Sequence, residues 1–228
     1  MRWLDLVKRD PVPWLLDPVN PSARLLTLQY LLKKPVTSLS QESDRLLNWS
    51  PIKDLREHWN RVNFWGRENT PYFGGALGNF GTLYLFSQLG ILRFPEVEPA
   101  CENLLNKGRR GDGRFSPEQT GAAPWLCYTG MALQLMWHFG YGNDLRTQSA
   151  RTALTQAVLL RPEILECPIA GGECHHGVVK ALMGLLGVPE AQRTVDDLSA
   201  IEMLCEQLVN YSFDFDGRDA DWVQPSFP

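Results

Sequence analysis

Basic residues are not in excess in this chain. Of its 228 residues, 22 are Lys or Arg and 26 are Asp or Glu, a formal net charge of −4, with a pI near 5.6. That balance gives no electrostatic footprint for nucleic acid, and the run KGRRGDGR (107–114) reads as a solvated loop. Long apolar runs are missing too. No window approaches the ~20 apolar residues of a membrane span, and the N-terminal MRWLDLVKRDPVPW has no signal-peptide core and meets proline early. Cysteine is sparse: five residues, an odd number and widely spread, without the density of a disulfide scaffold. The expectation is a cytoplasmic protein with reduced thiols. Phosphate-binding glycine loops, a Ser-His-Asp signature and a dinucleotide-binding fingerprint are all absent. The acidic stretch DFDGRDAD (214–221) fails as a calcium loop, because its glycine comes too early and no glutamate closes it.

Valine and isoleucine rarely alternate with polar residues, so no strand is expected and the fold reads as all-α. Three stretches end alike: LYLFSQLGI, LQLMWHFGY and ALMGLLGVP. Each is an apolar helical run stopped by a glycine (Gly90, Gly140, Gly187) and followed by a hydrophobe (Ile91, Tyr141, Val188). Glycine at this place fits a left-handed helix end of the Schellman type. The glycines stand 50 and 47 residues apart, which is the signature of a helical repeat. After each comes a second, more amphipathic helix. The first starts near Pro95 with Val97, Cys101, Leu104 and Leu105 on one face; the second is capped by Asp144 and reaches about Leu159. The third opens at Thr194 with Asp197 in its first turn, and repeats Leu198, Ile201, Leu204, Cys205 and Leu208. Asn20-Pro21 and Ser50-Pro51 mark two further helix starts. Stacked hairpins of this kind make a solenoid or an α/α toroid, here as a single domain over 1–228.

Cys127 and Cys174 each lie 13 residues before a terminating glycine, and each has glycine three places on, as CYTG and CHHG; Leu77 holds that address in the first repeat. In a toroid, the starts of the inner helices gather at one mouth of the cavity, so the two sulfurs are expected at the same height. Helix starts favour thiolates. Two thiolates with His175 or His176 would suit zinc, and one more repeat places Asp221 as a fourth ligand or its support. Two other readings stand beside zinc: cysteines packed as small hydrophobes, and a metal-free Cys–His pair. Cys101 and Cys205 lie on apolar helix faces, and Cys167 precedes a proline.

The segments WLLDPVNPSARLLTLQYLLKKP, LGNFGTLYLFSQLGI, PWLCYTGMALQLMWHFGYGND and CHHGVVKALMGLLGVP resemble the bacterial squalene-cyclase-like proteins with prenyltransferase and squalene oxidase repeats. That group belongs to the terpenoid cyclase/protein prenyltransferase superfamily, and the resemblance implies an α/α toroid. The DxDD acid motif of squalene-hopene cyclases is absent, and Gly172 stands where relatives often carry histidine. With about four to five hairpins, the chain is expected to be incomplete at its C-terminus: an open arc, or a ring that a second copy or a partner chain completes. WLCYTG and CHHG are also similar to the zinc-binding segments of lanthionine synthetase cyclases, which implies Cys127, Cys174 and His175 as ligands. Protein prenyltransferases hold zinc through Asp, Cys and His, which keeps Asp221 among the candidates.

The expected function is an enzyme of this superfamily, zinc-dependent, acting on a small or isoprenoid-like substrate. Phe80, Tyr84, Trp125, Tyr128 and Trp137 are the candidate cavity walls, since aromatic faces attract cationic intermediates. The alternatives are a non-catalytic helical-repeat binding or scaffold protein, and a degenerate terpene cyclase.

Overall fold

Helix starts follow the capping residues closely in the structure, a computed structural model that describes residues 8–62, 65–72, 74–92, 94–117, 126–160 and 174–210. The Asn20 side chain accepts the Ala23 N–H at 3.1 Å, opening α2 (Pro21–Leu26) after the single turn α1 (Val12–Leu15). α2 runs on into a wide π-turn, Thr27–Leu31, and ends near Lys33 at a φ of 52°. Then come α3 (Ser40–Leu47), α4 (Ser50–Val62), α5 (Asn79–Gln88) and α6 (Val97–Lys107). α7 (Leu126–His138), α8 (Leu145–Leu160), α9 (His175–Leu186) and α10 (Val195–Asn210) follow. The described residues hold ten α-helices and no strand, which agrees with the all-α expectation. No helix among them is long and apolar enough to cross a membrane.

Contacts within the chain gather in two compact units: Met1–Gly108 with His138–Gly140, and Arg109–Trp137 with Tyr141–Pro228. In the first unit the core forms around Trp65, which is fully buried between Trp59 (centroids 4.5 Å apart) and Phe86 (5.3 Å). Its indole N–H donates to the Leu55 carbonyl at 2.9 Å, satisfying the one polar atom of the ring. Asn79, at the start of α5, donates to the Ala100 carbonyl at 2.9 Å and so ties α5 to α6. Arg56 pairs with the buried Glu96 at 3.1 Å while lying over the Phe94 ring.

In the second unit α10 packs on both α8 and α9. The shared core includes Leu133 of α7, Leu154 and Val158 of α8, Ala181 and Leu185 of α9, and Leu204 of α10. Thr194 and Asp197 form the expected reciprocal cap: the Thr194 N–H donates to Asp197 at 2.8 Å, and the Asp197 N–H to the Thr194 hydroxyl at 3.2 Å. The same Asp197 is buried against Arg151 of α8, whose guanidinium donates to it through Nε at 3.0 Å and again through a terminal nitrogen. Thr155 donates to its other oxygen at 2.8 Å. Burial alone would raise this carboxyl, but the donors from Arg151, Thr194 and Thr155 outweigh it and hold the pKa at about 2.

Two of the three terminating glycines behave as the repeat predicts. Gly90 and Gly140 take φ values of 78° and 83°, and the residues after them reach back five places, Ile91 to Phe86 at 2.9 Å and Tyr141 to Met136 at 2.7 Å. Gly187 differs: its φ is −65°, still helical. Here the stop comes from Pro189, which forbids Val188 the helical region, so glycine's freedom is not used. The Cys127 address is also not uniform. Leu77 falls in a separate 3-10 turn (Gly75–Leu77) before α5 begins.

Candidate functional site

The N-terminal ends of α7 and α9 carry the sequence-predicted site. Cys127 is the second residue of α7, within its first turn, and is partly buried. Cys174 is the N-cap of α9, outside the helix proper, and its sulfur accepts the Gly177 N–H at 3.2 Å. Capping therefore occupies the Cys174 sulfur in the role that Ser, Thr, Asp or Asn usually fills. His175 and His176 are the first two residues of α9. Burial, and then the nearby Lys180 ammonium, push the His176 imidazole below its usual value. Tyr128, beside Cys127, is pushed above the usual phenol range by burial and by the negative charge its neighbour can carry.

How the two helices meet decides how the sulfurs stand. Glycine at 130 and at 184 lets α7 and α9 touch backbone to backbone. A Cβ on Gly130 would stand 2.7 Å from the Ala181 nitrogen, and one on Gly184 would stand 2.7 Å from the Gly130 Cα. Farther along, Gly187 lies against Gln134. The paired positions rise together, so the helices run in the same direction and both starts lie at one end of the unit. They are staggered rather than level. Carrying the pairing back puts Cys127 opposite a point roughly five residues beyond Cys174, about 7 Å at the ordinary helical rise.

Among the described residues, no group of three His, Cys, Asp or Glu side chains lies close enough to hold a metal ion. Cys127, Cys174, His175 and His176 are not brought together as such a group. Asp221 and Trp125 lie outside the described residues, as do Cys167 and the DFDGRDAD stretch.

Of the aromatic candidates, Phe80, Tyr84 and Trp137 make packing contacts within their own units. Phe80 is buried, stacked on Tyr84 with centroids 6.4 Å apart and tilted against Tyr72 at 4.9 Å. Trp137 packs on the second unit's core and covers Gly142 so closely that a methyl group there would overlap its ring. Sequence reasoning did not single out the Gly130–Gly184 contact. Its available signal was a glycine inside each of two apolar helical runs, which marks a close backbone approach when it does not mark an end.

No family model, curated protein or solved structure matches this chain.

Proposed function

We propose that the protein is a helical-hairpin binding protein of the α/α-toroid type, in which Cys127 and Cys174 belong to helix starts and not to a reaction centre. The parallel contact of α7 with α9, and the packing of α8 on α10, support the toroid type. Inner and outer members of consecutive hairpins meet in this way. The observation that carries the functional reading is the Cys174 sulfur, engaged by the Gly177 N–H as an N-cap. A partner surface fits the exposed side of α10, where Val195, Leu198 and Val209 face outward. In this reading a second copy or a partner chain covers that face and extends the array.

A zinc site is the second reading, favoured by two half-buried thiols at one end of the unit and by His176, whose imidazole burial holds below its usual value. It requires ligands from beyond the described residues, with Asp221 as the candidate, and an enzymatic role toward an isoprenoid-like substrate depends on it.

Replacing Cys174 by serine separates the two. Serine is a preferred cap, so the binding reading expects equal or greater stability, whereas the zinc reading expects loss of bound metal and of stability.

A further inference from the structure

The first unit carries an apolar turn that nothing in the unit covers. Every one of residues 30–38 is exposed. Tyr30, Leu31, Leu32 and Val36 stand 55%, 36%, 38% and 49% in solvent. The backbone beneath them is held. The Leu32 N–H donates to the Thr27 carbonyl and the Lys34 N–H to the Leu28 carbonyl, both at 2.9 Å. Lys33 closes this helix end at a φ of 52°, the one positive φ at a residue other than glycine among the described residues. Lysine takes that conformation at a cost that glycine avoids.

Charge is distributed unevenly around the turn. The chain as a whole is acidic, at −4, yet residues 18–41 contain no Asp or Glu. Arg24, Lys33 and Lys34 all fall in that stretch. On α3, which packs against α2, Glu42 is held by Arg24 at 2.9 Å and by Arg45 at 3.2 Å. Asp44 is the other acid of α3. From Arg24 to Leu47 there are thus four basic and two acidic residues, a local charge of +2. Two copies meeting turn to turn would set Lys33 and Lys34 against the same lysines, so charge opposes self-association and favours an anionic partner.

We propose that this turn seats the first unit on an anionic lipid surface. Leu31, Leu32 and Val36 leave water for the acyl boundary, the Tyr30 ring lies at headgroup level, and the Lys33 and Lys34 ammonium groups meet lipid phosphates. With so few apolar side chains entering, the attachment is peripheral and reversible.

Cosedimentation of the full chain at low salt tests this, with vesicles of phosphatidylcholine alone and of equal parts phosphatidylcholine and phosphatidylglycerol. Binding to the mixed vesicles should be saturable and about 25-fold stronger than to phosphatidylcholine, about fivefold for each of the two lysines. Lys33→Gly combined with Lys34→Gln removes that preference; glycine suits the left-handed φ, so the variant is expected to fold at least as stably. Leu31→Ser or Leu32→Ser, at exposed positions, weakens binding to either vesicle about tenfold. Lys53→Gln, which removes the same charge from an exposed site on α4, changes binding about twofold or less. No binding to the mixed vesicles, equal binding to both kinds, a preference that survives loss of both lysines, an equal loss from Lys53→Gln, or pelleting without vesicles would overturn the proposal.

Discussion

Gly130 of α7 and Gly184 of α9 face each other with no side chain between them, so two parallel helices touch through their backbones. Residues of any other type at these positions would hold the helices apart. The stagger between Cys127 and Cys174 follows from this register.

Gly130→Ala should destabilise the second unit by about 3 kcal/mol, at the upper end of overpacking costs, because the obstacle is backbone that cannot rotate away. Gly184→Ala should behave similarly, and the double variant should cost less than the sum because both clear the same contact. Chemical denaturation midpoints check all three.

Arg151 and Asp197 form a buried pair that α8 and α10 share. Arg151→Met leaves the carboxylate buried with fewer donors and should cost about 3–5 kcal/mol. The carboxyl titrates near 2 in the fold against an ordinary 3.8. Its stabilising contribution is complete above pH 3.8 and is lost as pH falls from there toward 2. Unfolding free energies measured across that window should slope downward toward acid, and less steeply in Asp197→Asn.

Two imidazoles act in a different window. His138 is lowered by burial, partly offset by its bond to the Ile91 carbonyl, and His176 by burial and Lys180. The unfolded chain therefore takes up these protons first. Stability should be full above pH 6.5 and should fall as pH drops below it. Denaturation midpoints from pH 8 to pH 5.5 check the slope, which His138→Gln should reduce while keeping a donor for Ile91.

Cys174 should tolerate serine and resist alanine. Cys174→Ser replaces a weak sulfur acceptor by a preferred cap, with equal or higher stability expected; Cys174→Ala leaves the Gly177 N–H without its acceptor, at a cost of about 0.5–1 kcal/mol. Thermal unfolding of the two variants side by side gives the comparison.

Much of the helical framework was legible because local chemistry writes it. Asn20, Asp144 and Thr194 cap through their own side chains, and Gly90 and Gly140 supply left-handed φ values that other residues avoid. Gly187 was misread because a helix before proline ends regardless of glycine, and the same three-letter pattern can have either cause. The relation of Cys127 to Cys174 could not be read from repeat spacing. Equal distance from a terminator fixes position along a helix, whereas the height of one helix against another is set by where they touch, at Gly130, Gly184 and Gly187.

Metal analysis of protein purified without a histidine tag tests the central claim most directly. If Cys127 and Cys174 serve helix starts, zinc should be far below one per chain, and Cys174→Ser should leave both metal content and stability unchanged or improved. About one zinc per chain, lost together with stability in Cys127→Ser and Cys174→Ser, would contradict that assignment and establish the metal site instead.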